Sequence, residues 1–170
     1  MKVLIASKFF YPRGGAEVVA IGTKQLLEEH GHQVRVFAMD YPENPVQPDC
    51  AGYAPEVSFG GSIGNKLKAF RRTLGYGDVV RAARKVLDDF RPDVVHLHNV
   101  HSYLSPVIGE LAHRRGIRVV WTLHDYKLIC PAYSFRRPDG TICQECLTDR
   151  RAVIRHRCMK GSLAASIVGR

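Results

Sequence analysis

The fold of this chain is decided by an apolar run and the turn that follows it, Val3-Leu4-Ile5-Ala6 and Tyr11-Pro12-Arg13-Gly14-Gly15-Ala16-Glu17. Together they predict a β-strand, a glycine turn and the first turn of a helix. Glycines let a backbone approach a ligand closely, and the free N–H groups of a first helical turn favour an anion. The turn is therefore a candidate phosphate site. The alternative is an ordinary tight connection between strand and helix.

Further apolar runs alternate with helical patterns along the chain. Including the first, the strand-like runs cover residues 2–7, 33–38, 93–98 and 117–123. Such alternation predicts an α/β fold, namely a Rossmann-like three-layer domain with a mostly parallel sheet. Gly31 and Gly116 stand where helices give way to strands, and Pro92 ends another helix, which supports these boundaries.

Length and composition limit the class of protein. A chain of 170 residues, 45% hydrophobic, can bury one sizeable core and is expected to form a single domain. Neither a secretory signal nor a stretch of about 20 apolar residues is present, so we expect a cytoplasmic protein. Residues 41–62 hold four prolines and are expected to form a long loop with a short strand near Val57-Phe59.

The charge of the chain favours anionic partners. It carries 25 Lys and Arg against 16 Asp and Glu, a formal charge of +9. Basic residues cluster in two short segments: Lys66, Lys68, Arg71, Arg72, Arg81, Arg84 and Lys85. Leu67, Phe70 and Leu74 recur between them at helical spacing, so the cluster is either a solvated helix face or a patch that binds an anionic membrane, on its inner, cytoplasmic face. Nucleic acid is the weaker interpretation because no recognition motif accompanies the charge.

Glycines or polar residues lie at the carboxyl ends of three of the apolar runs. Open α/β sheets bind ligands at these strand ends. These residues are Gly14 and Gly15 after the first run, His96, His98 and Asn99 in the third, and His124 beside Asp125 after the fourth. We expect them to converge at one rim. A metal site at His96, His98 and His101 is disfavoured because no carboxylate or cysteine accompanies them locally. For His124 the alternative is a structural hydrogen bond with its neighbour.

Three segments, in the expected order, carry a resemblance to a known family: Met1 to Glu17, Asp93-Val94-Val95-His96-Leu97-His98 and Thr122-Leu123-His124-Asp125. They resemble the N-terminal domain of family-four retaining glycosyltransferases. The resemblance implies the GT-B fold, in which two Rossmann-like domains face each other across a cleft. It also implies transfer of a sugar from a nucleotide-diphosphate-sugar donor to an acceptor, which stays unknown. The alternative is a non-catalytic basic module that docks on anionic membrane or nucleic acid.

The resemblance also implies roles for single residues. Gly14 and Gly15 would bring backbone N–H groups close to the donor diphosphate, with Glu17 supporting the loop. His124 would contact the donor sugar near the reacting carbon, and Asp125 would hold the histidine. We take His124 and Asp125 as the candidate catalytic residues.

On the acceptor side, His98 and Asn99 are candidates for binding acceptor or sugar, and residues 41–76 for the acceptor surface. The family's nucleotide-binding domain carries a characteristic pair of glutamates, and residues 1–170 contain no such pair. We therefore expect residues 1–170 to be the acceptor-side domain alone. It would be inactive in isolation and would work with a C-terminal domain of the same parent chain. The abrupt end of the apolar pattern at residues 162–170 favours the same interpretation.

Four cysteines form a separate cluster in a loop at about residues 126–160: Cys130, Cys143, Cys146 and Cys158. The Cys-x2-Cys pair has the spacing of a metal-binding knuckle, and two further cysteines would complete a tetrahedral site. A structural zinc that staples the loop is one interpretation, with His156 as a substitute ligand. An iron–sulfur cluster and thiols that stay reduced or become partly oxidised are the alternatives.

Overall fold

The computed structural model describes residues 1–49, 63–101 and 104–169. The chain divides into two compact units, Met1–Thr122 and Leu123–Arg170. The cysteine-rich loop predicted at about residues 126–160 belongs to the second unit. The short strand predicted near Val57-Phe59 lies outside the described residues.

The first unit alternates strands and helices as the apolar pattern predicts. Its elements are β1 Lys2–Ser7, α1 Gly15–Glu29, β2 Gln33–Phe37, α2 Ile63–Thr73, α3 Asp78–Phe90, β3 Val94–His98, α4 Val107–His113 and β4 Arg118–Thr122. In the described part of the unit these strands form one parallel sheet in the order β2-β1-β3-β4. The four predicted strands are confirmed, with ends that differ by one residue at most.

Helices cover both faces of this sheet, because neighbouring side chains of a strand point to opposite faces. Val3 and Ile5 of β1 pack with Ala20 of α1 on one face. Leu4 and Ala6 of the same strand pack with residues of α3 and α4 on the other. The first unit is therefore a three-layer, Rossmann-like α/β fold.

Backbone conformation at the helix ends confirms the predicted joints. Gly31 and Gly116 have φ angles of 76° and 73°, in the left-handed region where glycine pays no steric cost. Arg91 adopts the same region, with φ 49°, as the C-cap of α3. It precedes Pro92, which disfavours helical geometry in the residue before it.

The second unit has little regular structure. Its described residues include a 3₁₀ turn at Glu145–Leu147, a helix α5 at Ala152–Arg155 and a helix α6 at Leu163–Val168. An isolated antiparallel bridge joins Arg136 and Ile142. Its buried side chains include Cys130, Ala152, Val153 and Ser166.

Candidate functional site

The last residues of three strands lie side by side at the carboxyl edge of the sheet. Ser7 of β1 is opposite His98 of β3, which is in turn opposite Thr122 of β4. This edge is where open α/β sheets bind ligands. The sequence predicted that the ends of β1 and β3 meet at one rim. In the first unit both ends lie at this edge of the sheet.

The glycine turn leads from this edge into α1. Gly14 is the N-cap, has an extended backbone with φ −162° and gives the helix no side-chain cap. The first N–H groups of a helix have no partner within the helix, and they carry its positive dipole end. A Cβ atom added at Gly15 would meet nothing within 4 Å. The space beside the first turn is therefore open to a ligand.

A buried carboxylate lies behind the turn. Glu17 of α1 is only 5% exposed, and its Oε1 accepts a hydrogen bond of 3.3 Å from Nδ2 of Asn99. A Cβ atom on Gly14 would lie 3.2 Å from the other carboxylate oxygen, Oε2. Asn99 has φ 43°, a left-handed conformation that asparagine tolerates well. Glu17 therefore ties the start of α1 to the loop after β3.

The two histidines of β3 contact other residues of the first unit. His96 and His98 lie on one face of β3 with ring centroids 4.1 Å apart. Nε2 of His96 is 2.8 Å from Oγ1 of Thr122, and His98 is fully buried. His101 stacks against Trp121 with centroids 5.3 Å apart. The side chain of His98, which was predicted to bind the acceptor or the sugar, is therefore enclosed within the first unit.

Ser7 is a rim residue that the sequence pattern did not single out. Its side chain is fully buried, and its hydroxyl has no hydrogen-bond partner within the described residues. Burying a hydroxyl without a partner is costly, so such a group deserves a functional explanation. The sequence signal that could have identified Ser7 is a polar residue at the last position of an apolar run.

An aromatic cluster, also unpredicted, holds the loop between β1 and the glycine turn. Phe9, Tyr11 and Tyr41 contact one another with ring centroids 5.4 to 5.7 Å apart. The Arg13 guanidinium lies 4.1 Å and the Lys8 ammonium 4.5 Å from the centre of the Phe9 ring. Tyr41 belongs to the predicted acceptor surface, residues 41–76, of which residues 50–62 lie outside the described part.

The basic cluster is not a uniform exposed face. Arg72 is fully buried and forms a bidentate pair with Asp78, with Nε–Oδ1 at 3.0 Å and Nη2–Oδ2 at 2.6 Å. Lys85 pairs with Asp89 at 2.6 Å. The placement of Arg72 on a solvated or membrane-facing surface was therefore wrong. Its position near the end of α2, six residues before α3 begins, lets it reach the carboxylate at the start of α3.

His124 and Asp125 lie at the start of the second unit. They line a cavity of about 490 Å³ together with Leu123, Tyr126, Leu128 and Ile129. Oδ1 of Asp125 accepts a hydrogen bond of 2.8 Å from the backbone N–H of Lys127, an Asx turn that shapes this segment. His124 is half-buried. Burial lowers the pKa of Lys127 from its ordinary value.

The cysteine cluster does not form the predicted metal site. Cys130, Cys143, Cys146 and Cys158 are free thiols. Among the residues that the structure describes, no group of three or more His, Cys, Asp or Glu is arranged to hold a metal ion. Burial, followed by repulsion from neighbouring cysteines, raises the pKa of the Cys146 and Cys158 thiols. The structure thus supports neither zinc nor an iron–sulfur cluster.

A charged network centred on Glu145 holds the loop instead. Its carboxylate pairs with Arg137, accepts a hydrogen bond of 3.1 Å from Nε2 of His156 and lies 3.5 Å from Arg155. The hydrogen bond from His156 and the charge of Arg137 hold the pKa of Glu145 below its ordinary value. His156, predicted as a substitute metal ligand, is therefore engaged by a carboxylate.

Comparison with known proteins extends this description. The family model described as Glycosyltransferase Family 4 matches residues 13–148. The match covers the glycine turn, β3 with the residues after it, and His124. A search of curated proteins finds no match to the chain. Across the described residues, none of the helices has the length and apolar character needed to cross a bilayer.

Proposed function

The chain belongs to glycosyltransferase family 4, and from that premise we propose that residues 1–170 form the acceptor-side domain of a retaining glycosyltransferase of GT-B architecture. The donor would be a nucleotide-diphosphate-sugar, and a C-terminal domain of the parent chain would hold most of its nucleotide. Residues 1–170 alone would then be inactive. We propose that the enzyme is cytoplasmic. If it binds a membrane, it does so as a peripheral protein on the inner face.

The observation that carries the proposal is the uncapped first turn of α1. Gly14 offers no side chain to the N–H groups behind it, and the space over Gly15 is open. N–H groups fixed in this way stabilise a diphosphate, and they do so most as it leaves and gains negative charge. The chain would thus contribute preorganised electrostatic stabilisation and not a covalent step.

Glu17 is proposed to support this turn from behind. A carboxylate beside a phosphate would repel it if exposed, but Glu17 is buried and hydrogen-bonded by Asn99. Its place in the first turn of α1 also suits the positive end of the helix dipole. Because Asn99 is engaged by Glu17 and His98 is buried, we propose that both shape the acceptor or sugar site as positioning residues.

In the second unit we propose that His124 contacts the donor sugar near the reacting carbon. Support comes from its half-buried place in a cavity lined by polar and apolar groups. Asp125 would help to position His124, and its hydrogen bond to the backbone of Lys127 fixes the start of this segment.

The competing proposal, a non-catalytic basic module, is not favoured. The match over residues 13–148 is to a family of transferases, and part of the basic cluster is used inside the fold by Arg72. Docking on an anionic membrane remains compatible with catalysis, since an enzyme with a lipid-linked acceptor would need both.

Sugar transfer by the full-length parent protein tests the proposal. A panel of nucleotide-diphosphate-sugars would be offered, with release of the nucleoside diphosphate as the signal. For His124→Ala we expect turnover about 10²-fold lower with unchanged folding stability. His113→Ala, at an exposed position of α4, is the matched control and should retain wild-type turnover. Equal turnover in the two variants would refute the assignment of His124.

A further inference from the structure

A basic cavity of about 370 Å³ lies between α2 and the start of α3. Lys68, Arg71, Arg72 and Arg81 line it together with the carboxylate of Asp78. Four cations against one carboxylate leave the lining with a net charge of +3. The cavity therefore attracts anions. It lies partly within the predicted acceptor surface, residues 41–76, and none of the residues proposed to bind the donor or to catalyse transfer lines it.

The walls of this cavity are built into the fold. The buried guanidinium of Arg72 grips both carboxylate oxygens of Asp78, which fixes α2 against the first turn of α3. Lys68 lies 3.7 Å from the same carboxylate, while Arg71 and Arg81 are exposed. Because Arg72 already neutralises Asp78, the charges of Arg71 and Arg81 are available to a ligand.

Apolar side chains are exposed beside these cations. Leu67 is 57%, Phe70 37% and Tyr76 62% exposed, and both Leu67 and Tyr76 line the cavity. Solvating large apolar groups is unfavourable, so their interleaving with cations over residues 67–81 indicates contact with a surface that is both apolar and anionic.

We propose that α2 and the start of α3 dock on an anionic phospholipid membrane, with a lipid phosphate group in the basic cavity. The docking surface consists of Leu67, Lys68, Phe70, Arg71, Tyr76 and Arg81. A bilayer interface supplies phosphate and hydrocarbon at adjacent depths, which matches cations and apolar groups on one face. A soluble phosphate or a nucleic acid would use the cations but leave Leu67 in water. The proposal stands independently of sugar transfer.

Vesicle co-sedimentation of the 170-residue chain tests the surface. Vesicles of phosphatidylcholine and phosphatidylglycerol in equal parts should bind the chain, and vesicles of phosphatidylcholine alone should not. Replacing both Arg71 and Arg81 by Gln should weaken binding about 30-fold, or about fivefold for each cation. Leu67→Ser should weaken it about tenfold through lost apolar insertion. Arg81→Gln alone should weaken binding about fivefold, whereas Arg118→Gln, which removes one charge from an exposed site on β4, should bind as the wild type does.

Several outcomes would overturn the proposal. Equal loss in Arg118→Gln and in Arg81→Gln would assign binding to net charge. Wild-type binding by Leu67→Ser would remove the role of apolar insertion, and competition by inorganic phosphate that abolishes vesicle binding would assign the cavity to a free phosphate. Competition by single-stranded RNA that is insensitive to Leu67→Ser would assign the face to nucleic acid. Equal binding to both kinds of vesicle would remove the role of the cations.

Discussion

Nδ2 of Asn99 donates a hydrogen bond of 3.3 Å to Oε1 of Glu17 across the carboxyl edge of the sheet. The two residues come from different elements, the first turn of α1 and the loop after β3. The pair therefore couples the glycine turn to the neighbouring strand end. In this account it keeps the turn in one geometry, so that its N–H groups are aligned before a ligand arrives.

A double-mutant cycle on this pair tests the coupling. Glu17→Ala and Asn99→Gly each remove one partner, and glycine keeps the left-handed backbone accessible at position 99. We expect an interaction energy of about 1 kcal/mol in the free energy of unfolding, measured by urea denaturation. Additive effects within about 0.3 kcal/mol would show that the hydrogen bond does not stabilise the unit.

The two glycines of the turn should respond differently to alanine. A Cβ atom on Gly14 would lie 3.2 Å from Oε2 of Glu17, so Gly14→Ala must displace a buried carboxylate and should cost about 1 kcal/mol of stability. Gly15→Ala meets nothing within 4 Å and should leave stability unchanged or raise it by about 0.5 kcal/mol. Thermal denaturation of both variants measures this difference, and equal stability would contradict it.

The buried pair of Arg72 and Asp78 should dominate the stability of the α2 and α3 region. Arg72→Met leaves Asp78 without its bidentate partner and should cost about 3 kcal/mol. Arg71→Met, on an exposed position of the same helix, should change stability by less than about 0.5 kcal/mol. Equal effects of the two substitutions on chemical denaturation would refute the distinction.

The same pair predicts a pH dependence. Burial alone would raise the pKa of Asp78, but the hydrogen bond and charge of Arg72 hold it below its ordinary value. A carboxyl whose folded pKa is lowered contributes stability that is present above its unfolded pKa of about 3.9 and is lost as the pH falls through the folded pKa. Below pH about 4, the free energy of unfolding should fall more steeply in the wild type than in Arg72→Met. Parallel profiles would contradict this.

In the second unit, stability should depend on Glu145 and not on a metal. Glu145→Gln removes the charge that pairs with Arg137 and Arg155. The loop should then become more sensitive to limited proteolysis, and the Tm of the protein should fall. Addition of a chelator to the wild type should leave both unchanged. A chelator-dependent Tm, with stoichiometric zinc by elemental analysis, would reinstate the cysteine site.

The fold was predictable where the signal is local. Each strand of the sheet is an apolar run, and turn residues such as Gly31 and Gly116 stand beside some of these runs, so the number and the ends of the strands followed from the pattern. The start of α1 was predictable for the same reason, because a glycine turn directly follows the first run. The match of the family model to residues 13–148 agrees with the resemblance carried by these segments.

Long-range pairing was not predictable from the same pattern. In the sequence Arg72 looks like part of a basic surface. In the structure it is buried and paired with Asp78. The Cys-x2-Cys spacing suggested zinc because spacing says nothing about where thiols point or whether His156 has another partner. Ser7 was missed because it reads as the end of an apolar run, and its unpartnered hydroxyl is visible only in three dimensions.

The central claim is that the first turn of α1 binds the diphosphate of a sugar donor. Amide-resolved NMR of the 170-residue chain during titration with pyrophosphate tests it most directly, since it separates this turn from the basic cavity at α2. We predict saturable shifts of the amide signals at positions 15 and 16, and the loss of these shifts in Gly15→Ala, whose added Cβ occupies the open space beside the turn, while the fold is retained. Unchanged amide signals at these residues, or equal shifts in Gly15→Ala, would contradict the account.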